Sequence, residues 1–210
     1  MKKLVLIGGG AFGREVADFL PSYRGHGTEW TFAGFIDNQP DRYGIADRTL
    51  GLIADYTPSA DELFVCTLPD PKFKRKYTDL LSARGATFAT LVHERAVVSE
   101  RATIGVGCIL QPFVCISLNV RIGCHTSFNN SVSVGHDAAI GDFCHVNAYT
   151  LVSGFAQLAD EVTVHPHVSI LPSKRVGARS VVGVGSVVLR NVKPDTTVYG
   201  NPAKVINTFV

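Results

Sequence analysis

The sequence predicts an α/β domain followed by a three-sided coil of short parallel strands. Two observations support this architecture. An apolar residue recurs at every sixth position in the second half of the chain, and a glycine-rich motif follows a short apolar segment near the N-terminus. The 210 residues are enough for two small domains. We place the boundary after residue 92, which predicts domains at 1–92 and 93–210.

The period of six is unbroken across the second domain. Every sixth residue from Val98 to Val188 is Val, Ile, Leu or Phe, over sixteen consecutive positions. A helix repeats about every 3.6 residues and a half-buried strand about every two, so neither explains the pattern. A short fixed repeat is typical of a chain that stacks small units, here one strand and one turn each. An antiparallel sandwich is the alternative, but nothing in a sandwich requires so strict a period.

A second period, of eighteen residues, lies within the first. The residues that follow the apolar positions form three columns, one with Gly105, Gly123 and Gly141 and another with Asn129 and Asn147. Three hexads therefore make one coil, and the whole repeat makes about five coils, roughly 24 Å tall at a strand spacing of about 4.8 Å. We expect the glycines to supply the backbone angles of sharp corners. The two asparagine amides are expected to stack one coil apart.

The glycine-rich motif lies between a predicted strand and a predicted helix. Residues 3–7 form the strand, residues 14–20 form the helix, and Gly8, Gly10 and Gly13 form the pattern G-x-G-x-x-G between them. Glycines let the backbone approach a phosphate, and a helix N-terminus favours negative charge. The motif therefore predicts a phosphate-binding loop, although a lone G-x-G-x-x-G is a weak signal.

The rest of the first domain continues the β-α-β pattern. Residues 31–36 are predicted as a second strand that ends at Asp37, and residues 63–66 as a third. Asp70 suits the start of a helix and Gly85 its end. A parallel sheet follows from this order of elements. Asp37 is placed to accept hydrogen bonds from a ribose or a base.

The size of the first domain bears on its ligand. A dinucleotide site normally needs two β-α-β-α-β halves, and this domain has room for about one. We therefore favour one nucleotide diphosphate attached to another group over NAD. A tight turn without a ligand remains an open alternative.

The coil contains a candidate acid–base pair at a corner. His136 lies two residues after an apolar position and is followed by Asp137, and a histidine with a carboxylate partner can act as a general base near neutral pH. Gly154 lies eighteen residues on, directly above His136, and leaves room for a thin ligand. A solvated corner histidine is the alternative.

The other histidines constrain the site. His145 lies nine residues from His136, which is half a coil, so the two share a site only if a second subunit supplies one of them. His165 and His167 flank a proline and are interpreted as surface residues. A zinc site needs three or four converging ligands, which alternate corners of one coil do not supply, so we expect no metal.

Composition excludes several classes of partner. The net charge of +2 gives no indication of nucleic acid or an anionic membrane. The N-terminal apolar run is too short for a signal peptide, and no segment reaches the roughly eighteen apolar residues of a membrane span. Cys108 and Cys144 fall in the interior column of the coil and are expected to be buried and reduced. A cytoplasmic location fits these features.

Four blocks of the sequence carry a family resemblance: LVLIGGGAFGREV, FIDN, NNSVSVGHDAAIGDFCHVN and VYGNPAKVI. Through them nearly the whole chain resembles the hexapeptide-repeat acyltransferases, whose repeat is a left-handed parallel β-helix, an exception to the right-handed crossover rule. Within that family it is similar to nucleotide-amino-sugar N-acetyltransferases and sialic-acid-type O-acetyltransferases. The resemblance implies a half-Rossmann-like α/β domain followed by a left-handed parallel β-helix of hexapeptide repeats.

The resemblance also implies partners and residue roles. It implies acetyl-CoA as the acetyl donor, no metal, and a homotrimer with sites between subunits. His136 is then the general base and Asp137 orients it, although many relatives have Glu at the second position. The remaining implied contacts fall into three groups. They are the nucleotide-sugar residues Gly8, Gly10, Gly13 and Asp37, the sugar-site residue Asn129, and the acetyl-CoA residues His145 and Gly154.

One departure from the family pattern concerns the glycine-rich loop. Some relatives have Ser and His where this chain has Gly10 and Phe12. The exact phosphate and sugar contacts of this loop therefore do not follow from the resemblance.

Together these features predict an acetyl-CoA-dependent N-acetyltransferase. Its acceptor is expected to be the amino group of a nucleotide-linked 4-amino-6-deoxy sugar, with direct transfer and His136 as the base. A sugar O-acetyltransferase of the same fold and a non-catalytic sugar-nucleotide-binding β-helix protein are the alternatives.

Overall fold

The computed structural model describes residues 1–208. The chain divides into two compact units, Met1–Glu94 and a second unit that begins at Arg95.

The first unit is built around a four-stranded parallel sheet with strand order β3-β2-β1-β4. Its strands are β1 (Lys2–Ile7), β2 (Trp30–Ile36), β3 (Thr49–Gly51) and β4 (Glu62–Cys66). Its helices are α1 (Ala11–Phe19), α2 (Pro40–Tyr43) and α3 (Pro71–Ala83). Short 3₁₀ turns span Leu20–Ser22 and Ala46–Arg48, and a two-residue strand, β5, spans Leu91–Val92.

The predicted β-α-β pattern is confirmed, with differences at the ends of elements. Helix α1 begins at Ala11 rather than at residue 14 because Gly10 is its N-cap, so the last glycine of the motif lies inside the helix. The predicted cap of α3 is present, since the Asp70 carboxylate accepts a hydrogen bond from the Lys72 N–H at 2.9 Å. Helix α2 and strand β3 were not predicted, because they are only four and three residues long.

The core of the first unit lies between the sheet and the helices. Val5, Ile7, Ile36, Phe64 and Leu81 are almost completely buried and form one apolar cluster. Burial of each such side chain contributes about 1.5–3 kcal/mol relative to exposure. This packing holds the carboxyl ends of β1 and β2 in fixed positions, and the glycine-rich loop follows β1 directly.

The second unit is a regular coil of sixteen two-residue strands. They are β6 (Val97–Val98), β7 (Thr103–Ile104), β8 (Ile109–Leu110), β9 (Cys115–Ile116), β10 (Arg121–Ile122), β11 (Ser127–Phe128), β12 (Ser133–Val134), β13 (Ala139–Ile140), β14 (His145–Val146), β15 (Leu151–Val152), β16 (Gln157–Leu158), β17 (Thr163–Val164), β18 (Ser169–Ile170), β19 (Arg175–Val176), β20 (Val181–Val182) and β21 (Val187–Val188). The second residue of every strand is the periodic apolar residue of the sequence. All of these residues except Val98 and Ile104 are buried.

The strands form three parallel sheets with a register of eighteen residues. Val134 pairs with Ile116 in a six-stranded sheet, and Ile122 pairs with Ile140 in a five-stranded sheet. Phe128 pairs with Val146 in the third sheet, which β22 (Thr196–Tyr199) and the antiparallel β23 (Lys204–Thr208) extend. The predicted left-handed parallel β-helix is confirmed, and so is its eighteen-residue turn.

The predicted role of the glycine column is wrong. Gly105, Gly123 and Gly141 do not have positive φ angles. A Cβ on Gly105 would lie 2.7 Å from the Cys124 backbone nitrogen, so these positions exclude side chains because the next coil is too close. The left-handed angles lie elsewhere, at corner residues that are not glycine.

Those corner residues recur every six positions. Twelve successive ones, from Phe113 to Arg179, have φ angles between 56° and 63°. L-residues adopt this region at a cost, so the stacking of the coils must hold these corners in place. The position before most strands holds a small or slim residue, with Lys174 before β19 as an exception, and the Cys108 and Cys144 thiols at this position are buried as predicted. Each donates a hydrogen bond to a backbone carbonyl at 3.1 Å.

Within residues 1–208, none of the helices combines the length and the apolar character that a membrane crossing requires.

Candidate active site

The predicted acid–base pair is formed at one corner of the coil. Strand β12 ends at Val134, and His136 follows on the corner with its side chain 53% exposed. His136 Nδ1 lies 2.9 Å from Asp137 Oδ2. Asp137 has a φ of 59°, and its backbone N–H donates to the Leu118 carbonyl at 3.0 Å. The left-handed corner therefore turns the carboxylate back towards the histidine that precedes it.

A second side chain, which was not predicted, holds the carboxylate. Asn119 lies one coil earlier at the equivalent corner, and its Nδ2 donates to Asp137 Oδ1 at 3.0 Å. The hydrogen bond from His136, and after it the one from Asn119, lower the pKa of the Asp137 carboxyl. Asp137 is thus an ionised acceptor for the ring at neutral pH. The eighteen-residue period was the signal that identifies Asn119, because it relates Asn119 to Asp137.

Gly154 lies against the His136 ring. A Cβ on Gly154 would be 2.9 Å from both Nε2 and Cε1 of His136, closer than real Cβ contacts come. The next residue, Phe155, packs edge-on against the ring, with centroids 5.2 Å apart and planes at 89°. The room for a thin ligand that the sequence predicts at Gly154 is therefore not present on the side that faces His136, because the His136 ring occupies it.

His145 does not join this corner within the chain. It is the first residue of β14 in the third sheet and is 4% exposed, whereas His136 follows β12 of the six-stranded sheet. The structure thus places the two histidines on different sides of the coil, as the nine-residue spacing indicated. His165 and His167 are exposed, as expected.

The predicted asparagine ladder is present. Asn129 Nδ2 donates to Asn147 Oδ1 at 3.2 Å, and Asn147 Nδ2 donates to the Val164 carbonyl at 2.9 Å. Each amide therefore directs its NH₂ group towards the following coil. Asn129 is half-buried. The ladder starts at the side-chain amide oxygen of Asn129 and ends at the Val164 carbonyl.

The three glycines of the motif differ in whether the structure requires glycine at their positions. Gly8 has a φ of 98°, and a Cβ on Gly13 would collide with the Gly8 carbonyl oxygen, so both positions require glycine. Gly10 has ordinary extended backbone, and its Cβ would meet only the Tyr43 ring, at 3.9 Å. Gly10 is therefore not sterically required.

The loop also depends on residues that the motif does not include. A Cβ on Gly9 would collide with the end of the Ile45 side chain, so a larger residue at this position requires Ile45 to move. Thr67 Oγ1 donates to the Gly8 carbonyl at 2.6 Å. Neither contact is visible in a local motif, because Ile45 and Thr67 come from distant segments.

Asp37 has an observed role in holding the loop. Its side chain is 6% exposed, its Oδ2 accepts the Gly9 N–H at 2.7 Å, and its Oδ1 accepts the Gln39 N–H at 2.6 Å. The carboxylate thus joins the end of β2 to the loop after β1. A ribose contact by Asp37 stays a prediction.

Within residues 1–208, no group of three or more His, Cys, Asp or Glu side chains is arranged to hold a metal ion.

Comparison with known proteins identifies relatives along the full length of the chain. No family model matches it. The chain is 26% identical over 212 residues to the GDP-perosamine N-acetyltransferase of Escherichia coli O157:H7, a match that covers 95% of this chain and 94% of the relative.

Solved structures show the same fold. PerB from Caulobacter crescentus, in complex with CoA and GDP-perosamine, superposes with a TM-score of 0.88 and 23% identity over 99% of this chain and 98% of that one. The acetyltransferase domain of PglB from Neisseria gonorrhoeae FA1090, in complex with acetyl coenzyme A, gives a TM-score of 0.86 and 24% identity over 98% and 99%. Together with the curated relative, these structures confirm the predicted resemblance. The curated relative and the PglB domain are named as acetyltransferases, and GDP-perosamine, a nucleotide-linked sugar, is named for the curated relative and bound in the PerB structure.

Proposed function

We propose that this protein transfers the acetyl group of acetyl-CoA to the amino group of a nucleotide-linked 4-amino-6-deoxy sugar. The observation that carries the proposal is the His136–Asp137 pair packed against Gly154, in a chain similar over nearly its full length to a GDP-perosamine N-acetyltransferase. We propose GDP as the nucleotide to test first, because the curated relative and PerB are named for or bound to GDP-perosamine.

His136 is the proposed general base. Asp137 Oδ2 accepts a hydrogen bond from Nδ1–H, so the lone pair of the neutral ring is on Nε2. In this tautomer Nε2 accepts the proton that the sugar amine loses as it attacks a carbonyl carbon. Asp137 remains ionised and stabilises the imidazolium that forms.

Acetyl-CoA supplies an activated thioester. The amine nitrogen forms a bond to the acetyl carbonyl carbon, the carbon–sulfur bond breaks, and the proton held by His136 passes to the departing thiolate. No acyl-enzyme is required, because an amine that is held close and deprotonated is itself a good nucleophile. The pantetheine arm is proposed to pass along the corner at Gly154, where a Cβ would lie 2.9 Å from the His136 ring and would displace it.

The nucleotide is proposed to bind at the glycine-rich loop of the first unit. The tight approach of Gly13 to Gly8 places the start of α1 directly beside the loop, where backbone N–H groups favour a phosphate. We propose that Asp37, Gly8, Gly10 and Gly13 contact the nucleotide sugar, and that Asn129 lines the sugar site.

The active form is proposed to be a homotrimer. His136 and His145 lie on different sides of the coil in one chain, so a site that contains both needs His145 of a neighbouring subunit. A cytoplasmic location is also proposed, and it is supported by five cysteines that form no disulfide within the described residues.

The test is acetyl transfer by the purified protein. GDP-perosamine and acetyl-CoA are expected to give free thiol and a product heavier by one acetyl group, with the acetyl on nitrogen by NMR.

His136→Ala is expected to lower turnover by about two to four orders of magnitude, whereas the exposed His165→Ala variant is the matched control and keeps wild-type turnover. Acetyl on oxygen would identify the O-acetyltransferase alternative. No transfer to any UDP-, dTDP- or GDP-linked amino sugar would reject the proposal, and near-wild-type turnover of His136→Ala would remove His136 as the base.

A further inference from the structure

The face of the five-stranded sheet has an open groove beside the corner that holds His136. The groove crosses four neighbouring strands of this sheet, β10, β13, β16 and β19, and has a volume of about 530 Å³, a size typical of small-molecule sites. Strand β13 begins at Ala139, which lines the groove and lies two residues after Asp137. The charged and polar side chains of the lining are Arg121, Gln157, Asp160 and Arg175. The groove therefore starts at the proposed acid–base pair and is open to solvent.

The pairing of the strands sets the distance from this corner to Arg175. Gln157 lies three residues after Gly154, and the pairing of β16 with β19 places Arg175 directly above Gln157. Three extended residues reach at most about 10 Å, and adjacent strands are about 4.8 Å apart. The α-carbon of Arg175 is therefore roughly 11 Å from that of Gly154, and its long side chain adds several ångströms of reach.

The Arg175 side chain lines the groove without an ionic partner. Its backbone N–H donates to Asn191 Oδ1 at 3.0 Å, whereas its exposed guanidinium forms no ion pair or hydrogen bond within residues 1–208. The carboxylate in the lining is that of Asp160, whose Oδ1 accepts the Asp142 N–H at 2.9 Å. A guanidinium presents five donors in a planar fork that matches the oxygens of a phosphate. Arg175 is thus available to bind an anion in the groove.

Acetyl-CoA has a diphosphate at a matching distance from its thioester. About thirteen bonds join its sulfur to the nearer phosphorus, which corresponds to about 15 Å when the arm is as extended as a polypeptide. A thioester at the corner formed by His136 and Gly154 therefore places the diphosphate within reach of Arg175. The arm contains two amide groups, and the exposed Gln157 amide, which has both donors and an acceptor, lies along this path.

We propose that Arg175 binds the diphosphate of acetyl-CoA and that the groove on the five-stranded sheet holds the pantetheine arm; this inference rests on the proposed function. Arg175 holds the end of the donor that does not react, so its contribution is to donor binding rather than to the chemical step. It makes the protein selective for CoA thioesters over thioesters without a diphosphate. The diphosphate of the acceptor is the other source of the same chemistry, and the test separates the two.

The test compares thioester donors that differ in their phosphates. The value of kcat/KM is measured for wild type and Arg175→Gln with acetyl-CoA, with acetyl-dephospho-CoA, which lacks only the 3′-phosphate, and with S-acetylpantetheine, which has no phosphate. With the first two donors Arg175→Gln is expected to lose about 10-fold or more, mainly through KM, because a charge-assisted contact is removed. With S-acetylpantetheine the two proteins are expected to be equal, since the contact is absent from both. The exposed Arg101→Gln variant, outside the groove, is the matched control and keeps wild-type values.

Four outcomes would overturn the proposal. Unchanged kinetics with acetyl-CoA would show that Arg175 does not contact it, and equal losses with all three donors would show that its role is structural. A loss confined to acetyl-CoA would assign the contact to the 3′-phosphate. A raised KM for GDP-perosamine alone would assign it to the acceptor. Because Arg175 is exposed, Arg175→Gln and Arg175→Lys are expected to melt at the wild-type temperature, and the lysine, which retains the charge, recovers part of the loss.

A binding measurement keeps the inference independent of catalysis. Calorimetry is expected to show that wild type binds CoA about 10-fold or more tightly than Arg175→Gln does, whereas the two proteins bind pantetheine equally. Equal affinities for CoA contradict the phosphate contact even if acetyl transfer is observed. If the affinities for CoA differ and no nucleotide-linked sugar is acetylated, the proposed function is rejected and the phosphate contact is supported.

Discussion

The α-carbon of Gly154 lies so close to the His136 imidazole that a methyl group there would be 2.9 Å from Nε2. The two residues are one full coil apart, and the stacking of coils brings them together. The atom proposed to accept the proton is therefore next to a position that has no side chain. This relationship makes the glycine a sensitive test of the site.

Gly154→Ala is expected to lower kcat by about 100-fold, because the added methyl displaces an exposed ring by a fraction of an ångström or more from its working position. The fold is expected to survive, since His136 is half-exposed and can move outward. Steady-state kinetics and circular dichroism test this. Ser153→Ala, at the preceding position, is the control, and wild-type kcat in Gly154→Ala would show that the spacing between Gly154 and the ring is not important.

Asp137→Asn is expected to lower kcat by about 10-fold or more while the backbone stays intact. Asn tolerates the left-handed conformation that this corner requires, but it lacks the charge that stabilises an imidazolium. The acetyl-transfer rate of the Asp137→Asn variant is measured at a pH near neutrality and compared with that of wild type. An unchanged rate would remove Asp137 from the mechanism.

The same variant is expected to show a pH-dependent difference in stability. The hydrogen bonds from His136 and Asn119 lower the pKa of Asp137 below its ordinary value of 3.8. A lowered carboxyl pKa stabilises the folded state fully above the ordinary value, and this stabilisation is lost as the pH falls through the lowered one. The difference in melting temperature between wild type and Asp137→Asn is therefore expected to shrink below about pH 4. A difference that stays constant from about pH 6 to about pH 2.5 would contradict this pairing.

Asn119→Gly is expected to reduce kcat by about 10-fold with little change in the KM for acetyl-CoA. Glycine tolerates the φ of 57° at this corner, so the substitution removes only the hydrogen bond to Asp137. Ser173→Gly, at the same corner two coils beyond Asp137, is the matched control with a φ of 61°. Equal kinetics for the two variants would mean that Asn119 does not position the carboxylate.

Asp37→Asn is expected to weaken nucleotide binding because it replaces the carboxylate that anchors the loop through the Gly9 N–H. Charge-assisted hydrogen bonds are about twice as strong as neutral ones, so the loop is held less firmly. The measurement is the rise in melting temperature with GDP, which is expected to be smaller than for wild type. Asp41→Asn, in the exposed helix α2, is the control because it removes the same charge. Identical rises in melting temperature with GDP in the two variants would argue against this role for Asp37.

The periodic apolar residues are sufficient by themselves to determine the architecture of the second unit. Burial of such residues is favourable, and a strand of two residues at every sixth position buries all of them except Val98 and Ile104. The eighteen-residue register follows in the same way, as the pairing of Val134 with Ile116 shows. The His136–Asp137 pair could also be identified, because its two members are adjacent in sequence.

Contacts between segments far apart in sequence were decided only by the tertiary structure. Burial of Gln111, the anchoring of Asp37 on Gly9, and the contact between Gly9 and the Ile45 side chain all depend on where other parts of the chain pack. The glycine column of the coil shows the same limit. The sequence showed that glycine recurs at these positions, but the structure was needed to show that glycine is there because the next coil is close. A repeat specifies its own strands because hydrophobic burial follows a local period, whereas a polar contact depends on distances that only the folded chain sets.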